Sequence, residues 1–546
     1  MLLVSKQLIF ALVRLFSSRS VQRWQPLRLV LARRKIAIRA ASINFGLVGL
    51  TILLSGCSAM SDLSELPQKT MDNARPAALS SPLYLALQSK ITAHPGKAGV
   101  VPLGDGVDAF VARLQLIQAA SSSIDLQYYI YHKDETGRLL TGYLLDAANR
   151  GVTVRLLLDD LTSPNLENDL LALSSHPNIH IRLFNPSIER DFRSFAMLLG
   201  FARLNHRMHN KSITVDGVVT VVGGRNIGDE YFAASNDVEF GDFDLLAVGD
   251  VVTEVSAQFD AYWNASLTQP IEVLNSHTQR TDGLSQIEQW FAAHKHEMQN
   301  SDYVQRLRDS QLLAHIKAQD LAWYWGEAKV LVDPPHKLEQ DNGNQWLLSQ
   351  LKPHIASINA DLILVSPYFV PTESGSEFLI DLAKSGKHIR IITNSLAATD
   401  VLAVHAGYKR YRHALLAAGI ELYEVKAQPS VRHHSWRGSS KSSLHAKTVV
   451  FDNSAIFVGS FNFDPRSASV NTEMGLYMVQ PAFAAAIASS IDSKLTSLTY
   501  RLALEDEQLI WWDDGEQRKY YADPDAGFWR ILMADILGLL PIESQL

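Results

Sequence analysis

The sequence predicts an α/β protein built from two tandem copies of one domain. Three observations carry the prediction. Helical and strand-like hydrophobic patterns alternate through the body of the chain, the alternation runs twice in the same order, and two clusters of polar residues recur at the repeat distance. At 546 residues the chain is well beyond the length of one ordinary domain, and 47% hydrophobic with 20% charged residues excludes a disordered chain or a polytopic membrane protein.

The elements follow in order. Residues 110–120 are apolar at helical spacing, 124–131 are strand-like, 139–149 are helical, Gly151 is a break, and 152–158 form a buried-strand run. A second pass gives a helix at 346–358, a strand at 362–370, a helix at 378–384, a break at Gly386 and a strand at 389–393. Helices between strands of this length predict a mostly parallel sheet covered on both faces. Asp125 and Asp361 stand 236 apart, and Arg155 and Arg390 stand 235 apart. The layout is therefore a leader at 1–56, a tether at 57–85, a first domain at 86–275, a polar helical connecting insertion at 276–330 and a second domain at 331–546.

Charge divides the front from the rest. Residues 1–61 hold nine basic and no acidic residues, so the net charge of -7 conceals 41 basic against 57 acidic residues, or -16, in the remainder. The apolar run at 43–54 is shorter than the ~20 residues of a membrane span but fits the core of an export signal. Leu54, Ser55, Gly56 and Cys57 match a bacterial lipobox, which implies cleavage before Cys57 and its lipidation. The expected place is then the bacterial cell envelope, tethered on the periplasmic face of a membrane; Ser58 leans toward the outer one. A buried thiol or an uncleaved anchor is the alternative. With Cys57 the single cysteine, no disulfide framework or multi-thiolate metal site is possible.

The polar clusters are Arg207, Met208, His209, Asn210 and Lys211, then Asp216 and Gly217, then Gly223, Gly224, Arg225 and Asn226; and His445, Ala446 and Lys447, then Asp452 and Asn453, then Gly459, Ser460, Phe461 and Asn462. His209 and His445 are again 236 apart. Residues two apart on a strand share a face, so each His projects with its Lys. Asp216 and Asp452 sit at turns between β-rich runs, which predicts two hairpins. Gly224, Ser460 and the two Asn residues then return beside the His and Lys, where bare N–H groups and amides can cradle an anion. A lone His is more often structural than catalytic, and Asp216 and Asp452 could be turn formers. The recurrence of the whole pattern is what makes it a catalytic reading, with His209, Lys211, Asp216, His445, Lys447 and Asp452 as its members.

This paired motif resembles that of the phospholipase D superfamily, called HKD. The wider context, from the Asp125 strand through residues 404–412 to Asp464, Pro465, Arg466, Ser467 and Asn471, Thr472, Glu473, resembles its cardiolipin synthase C branch, from about residue 85 to Leu546. The resemblance implies two α/β sandwich domains about a pseudo-twofold axis with one shared cleft. One histidine would attack the phosphorus of a phosphodiester and the other would protonate the leaving alcohol, with no metal or cofactor. It further implies His209 as nucleophile, His445 as general acid and base, phosphate held by the lysines with Asn226, Asn462, Gly224 and Ser460, and Asp242 and Glu473 each orienting the histidine of the opposite half, with Asp244 the fallback for Asp242.

The expected substrates are phospholipids, phosphatidylglycerol and phosphatidylethanolamine among them, joined into cardiolipin at a membrane surface. Headgroup hydrolysis and a tethered nuclease are the alternatives. A body at -16 is a poor start for nucleic acid. Phe192, Phe195, Leu198, Leu199, Phe201 and Ala202, flanked by Arg190, Arg193, Arg203 and Arg207, form an amphipathic basic segment that would dip into a bilayer or else pack as a core helix. Arg432, His433 and His434 read as a loop leading into the second motif, and residues 536–540 as core or interfacial packing. The oligomeric state is open.

Overall fold

Alternating apolar runs give the computed structural model two series of strands. The first is β1 (Ala98–Leu103), β2 (Ser123–Tyr128), β3 (Thr153–Asp159), β4 (Ile179–Phe184), β5 (Ser212–Val215), β6 (Val219–Gly223), β7 (Val238–Gly241), β8 (Asp244–Gly249) and β9 (Thr268–Pro270). The second is β10 (Tyr324–Val332), β11 (Asp361–Val365), β12 (His388–Asn394), β13 (Glu421–Val425), β14 (Gln428–Pro429), β15 (Lys441–Leu444), β16 (Thr448–Phe451), β17 (Ala455–Gly459), β18 (Met474–Val479), β19 (Thr499–Glu505), β20 (Gln508–Asp513) and β21 (Arg518–Tyr520). The structure describes residues 63, 66–162, 166–190, 193, 200–235, 238–275, 283–338, 343–429 and 441–546, and places 61–546 in one compact unit.

The pairings expose the repeat. The first half runs β4-β3-β2-β5-β6-β8-β1 and the second runs β13-β12-β11-β16-β17-β18-β10. The two join where β1 pairs antiparallel with β10, Gly99 opposite Trp325, to make one sheet of eighteen strands. The sheet is mixed rather than mostly parallel: only β2-β3-β4 and β11-β12-β13 run parallel within each half. Tight turns at Asp216 and Asp452 force their flanking strands antiparallel.

Side-chain alternation assigns the two faces. Leu362 and Leu364 of β11 pack into the core of their own half, under the helix Leu347–Ala356, whereas Ile363 and Val365 pack into a cluster shared with Ala98, Val100, Leu245 and Ala247 of the first half. Each sheet is thus covered by its own helices on one face and by the opposite half on the other. The repeat landmarks become ion pairs: Arg155 to Asp125 at 2.7 Å and Arg390 to Asp361 at 3.0 Å.

Two segments differ from the sequence reading. The stretch read as a tether lies against the first half over residues 69–78: Lys69 donates to the carbonyls of Ala265 and Thr268, the Ala74 N–H to Asp260 at 2.8 Å and the Ala78 N–H to the Asp216 carbonyl at 2.9 Å. Its polar composition reflects backbone groups satisfied by the domain rather than by water. Strand β10 begins at Tyr324, inside the segment read as a connecting insertion, because the sheet joint recruits it. The insertion itself is helical where described, at Gly283–Gln299, Asp302–Arg308 and Gln311–Ala318. Residues 1–57 with the lipobox, Phe192, Phe195, Leu198 and Leu199, and Arg432, His433 and His434 lie outside the described residues. Among the described residues no helix is long and apolar enough to cross a membrane.

Candidate active site

The backbone ties each motif histidine to the opposite half. Met208 pairs in parallel with Thr472, so the His209 N–H donates to the Thr472 carbonyl at 2.8 Å and the Thr472 N–H to the Arg207 carbonyl at 2.9 Å. On the other side β15 pairs in parallel with β7, and the His445 N–H donates to the Gly241 carbonyl at 2.8 Å. Thr472 and Gly241 immediately precede Glu473 and Asp242. The carboxyl groups therefore arrive at the rings: Glu473 Oε2 lies 2.8 Å from His209 Nδ1, and Asp242 Oδ2 lies 2.5 Å from His445 Nδ1. Both contacts are made at Nδ1 of the ring.

Buried groups hold the two carboxylates. Ser460 Oγ donates to Glu473 Oε2 at 2.5 Å, and the Glu473 N–H donates to Asp333 at 2.9 Å. Lys337 bridges Asp333 to the carbonyls of Ser467 and Asn471 at 2.8–3.0 Å. Arg225 donates to the Asp242 carbonyl at 2.6 Å and spans to the carbonyls of Leu103, Gly104 and Tyr231. Asp159 fixes the first motif from below, accepting from the Met208 N–H at 2.9 Å and from Arg207 at 3.1 Å. Tyr129 stands edge-on to His209 and Tyr231 edge-on to His445. Asp159, Asp333, Lys337, Tyr129 and Tyr231 escaped the sequence reading because they carry no motif spacing.

Electrostatics separates the half-sites. Burial, then the charges of Lys211, Lys447 and His445, holds His209 well below its ordinary value. His445 is lowered by burial and Lys447, with Asp242 pulling it back up. Burial raises Asp242, but His445, Lys447 and Arg225 outweigh that and hold it below the usual carboxylate range. Glu473 goes the other way: burial pushes it up to about 7 against Lys211 and Ser460. Burial lowers Lys447 to about 8 and lowers Lys211 strongly. Each lysine donates to the carbonyl of its own histidine, and Lys447 Nζ also lies 2.9 Å from His445 Nδ1, which leaves ammonium protons on both lysines for an anionic oxygen.

Several expected roles change. Asp216 and Asp452 are the turn formers: at φ 53° and 51°, they accept from the N–H groups of Ser121, Ser122 and Ser123, and of Asn359, Ala360 and Asp361. Each sits at the far end of a short strand from its His, seven residues on, or roughly 23 Å of fully extended chain. Gly224 and Ser460 do not cradle phosphate, because their N–H groups donate to the Phe243 and Met474 carbonyls. Their small size serves the carboxylates: a Cβ on Gly224 would sit 2.2 Å from Asp242 Oδ1, and Ser460 bonds Glu473. The Asn226 amide accepts from the Ile130 N–H and donates one of its two N–H bonds to the Tyr231 hydroxyl, which leaves the second as a donor. Asn462, buried, retains an amide oxygen with no partner among the described residues. Asp244 pairs with Arg113 at 2.8 Å, so the fallback is not needed.

Among the described residues, His405, Glu424 and Asp523 are close enough to hold a metal, but Arg412 fills their centre, 2.8 Å from Glu424, 3.1 Å from Asp523 and 2.6 Å from His405. The guanidinium takes the place of a cation there.

The model of the family described as cardiolipin synthase, PLD-like domain, matches residues 114–263 and 351–495, one match in each half. Cardiolipin synthase C of Escherichia coli (strain K12) is 41% identical over 460 residues, 82% of this chain and 96% of that one. The chain belongs to this family. It is accordingly an enzyme, a phosphatidyltransferase of the phospholipase D type. An uncharacterised Helicobacter pylori protein is 31% identical over 474 residues, 85% of this chain and 92% of its own. The crystal structure of phosphatidylserine synthase from Haemophilus influenzae Rd KW20 superposes with a TM-score of 0.52 at 14% identity over 77% of this chain and 92% of that one, a likeness of fold. Each family-model match spans one histidine with its lysine, and also the carboxylate that reaches the histidine of the opposite half.

Proposed function

We propose that this phosphatidyltransferase joins two phospholipids into cardiolipin through a phosphohistidine, with phosphatidylglycerol as one substrate and phosphatidylethanolamine as a second. The observation that carries it is the unequal exchange of carboxylates: an ionised Asp242 on His445 and a Glu473 held near 7 on His209. His209, kept neutral, offers the Nε2 lone pair to phosphorus. His445, beside the ionised carboxylate, holds a proton more readily and delivers it to the departing alkoxide. The P–O bond to the leaving alcohol breaks as the N–P bond forms. His445, now neutral, takes the proton of the incoming lipid hydroxyl, whose oxygen displaces His209. Lys211 and Lys447, with amide N–H groups of Asn226 and Asn462, hold the non-bridging oxygens.

The reaction is tested with purified full-length protein and labelled phosphatidylglycerol, alone and with phosphatidylethanolamine, beside single-stranded DNA. Cardiolipin that disappears in His209→Ala and His445→Ala supports the proposal. Phosphatidic acid without cardiolipin assigns hydrolysis instead, and cleaved DNA with unchanged lipid overturns both. Anchoring through Cys57 belongs to the same proposal: labelling with a fatty acid in cells gives a lipid-bearing protein that Cys57→Ser abolishes.

A further inference from the structure

The helix Phe528–Gly538 carries its apolar residues on the wrong side for a core. At about 100° per residue, Phe528, Trp529, Leu532, Met533 and Ile536, with Leu539 and Leu540 of the following turn, fall within an arc of about 140°. That arc faces outward: Phe528 is 70% exposed, Trp529 73% and Leu539 84%. The opposite side holds the helix down. Ala534 is buried against Leu396 and Ala406, Arg530 donates to the carbonyls of Leu396 and Thr399, and Asp535 pairs with Lys409 at 2.7 Å. Arg410 caps the C-terminal end through the Gly538 carbonyl. The helix is therefore rigidly mounted with large aromatic and aliphatic side chains in water.

Its position links this face to the catalytic cleft. Beyond Leu540 the chain runs back into the site, where the Arg466 N–H donates to the Leu546 carbonyl at 2.6 Å and Gln545 accepts from Asn205 at 3.1 Å. Asn205 precedes His209 by four residues and closes a helical turn with Phe201, itself 49% exposed. Exposed apolar side chains from both halves thus flank the joint beside the first histidine.

We propose that the outward face of Phe528–Gly538, with Leu539 and Leu540, inserts into the interfacial layer of a phospholipid bilayer and sets the cleft over its lipid substrates. The proposal rests on the reading of the substrates as bilayer lipids. An eleven-residue helix is about 16 Å long, and one face of it falls well short of the ~800 Å² per partner that a stable protein interface buries. The same strip suits an amphipathic helix lying about 5–10 Å into a membrane, with its aromatic residues at headgroup level.

The test uses the full chain on vesicles of phosphatidylglycerol and phosphatidylethanolamine, with photoreactive p-benzoylphenylalanine replacing Trp529. A lipid adduct is expected; an adduct to a second copy or to residues 1–62 of the same chain overturns the proposal. In parallel, Phe528→Ser, Trp529→Ser and Leu539→Ser combined should lower the rate on vesicles at least tenfold, yet leave the rate on short-chain phosphatidylglycerol dispersed as monomers within about twofold. Equal rates on vesicles for the variant and the parent protein overturn it, as does an equal loss on both presentations with an unchanged melting temperature. Should the parent protein make no cardiolipin from either presentation, the proposed reaction fails while the adduct at position 529 still reports the docking surface.

Discussion

The two half-sites share a backbone plan and differ in chemistry. Both histidines follow a strand-like segment paired in parallel with the segment that delivers the opposite carboxylate. The first half supplies Asp242, with Arg225 on its carbonyl; the second supplies Glu473, longer by one methylene, with Ser460 on its carboxyl and Asp333 on its N–H. Desolvation is the largest influence on both; His445, Lys447 and Arg225 outweigh it for Asp242, while Lys211, Ser460, Ser467 and Lys337 do not for Glu473, which stays near 7. A duplicated fold can thus host two different acid–base roles, because the charge state depends on neighbours that the duplication left free to diverge.

The sharpest break of this comparison is removal of each histidine in turn. His209→Ala and His445→Ala should each lower cardiolipin formation by at least ~10⁴-fold. With a phosphodiester whose leaving group needs no proton, His445→Ala should still accumulate a phosphoenzyme in a rapid-quench experiment and His209→Ala should not; the reverse pattern exchanges the two roles.

Next come the carboxylates. Asp242→Asn should cost about 10²–10³-fold in kcat, and Glu473→Gln only about tenfold near neutral pH, where Glu473 is already about half protonated. Equal losses would remove the asymmetry. Gly224→Ala should resemble Asp242→Asn, since its Cβ displaces the Asp242 carboxylate, whereas Ser460→Ala costs about 1–2 kcal/mol, or roughly tenfold, by deleting the hydroxyl that donates to Glu473 and accepts from the Met474 N–H.

A stability profile sharpens the same point. Glu473 has a folded value raised above the ordinary ~4.3, so the folded state binds more protons than the unfolded one between ~4.3 and about 7, and stability falls as pH rises through that window. Denaturant melts of Glu473→Gln across this range should lose that slope. Asp452 has the opposite sign. Burial raises it, but the N–H groups of Asn359, Asp361 and Ala360 outweigh that, so its contribution is full above the ordinary aspartate value and fades as pH drops below it. Asp452→Asn should therefore destabilise by about 1 kcal/mol at neutral pH and less in acid, and the wholly buried Asp216→Asn by about 2 kcal/mol, with catalysis by the folded fraction unchanged in both. Loss of kcat without loss of stability would return the aspartates to the chemistry.

Much was legible beforehand. The strand-and-helix alternation, the hairpins and the paired His and Lys follow from local periodicity and spacing, and the equivalence of Asp242 with Glu473 followed from aligning the strands after each motif. The geometry of Asp216, Asp452, Gly224 and Ser460 departs from the roles expected of them because a motif marks what stands together in sequence, not where each side chain ends up. Asp216 is five residues from Lys211, yet a strand carries it away from the cleft. Gly224 and Ser460 do lie at the site, but their N–H groups belong to the sheet.

The sequence by itself determined the duplicated α/β architecture, the two hairpins and the pair of histidines, since period, turn residues and repeat distance are local or simply countable. Three-dimensional packing settled that the sheet is mixed, that β10 joins the halves, that each half lends its carboxylate to the other, and that Asp242 lies below the usual carboxylate range while Glu473 is raised to about 7. Those outcomes depend on packing and desolvation between residues more than 200 positions apart, and no local pattern records which charges will share a dry cavity.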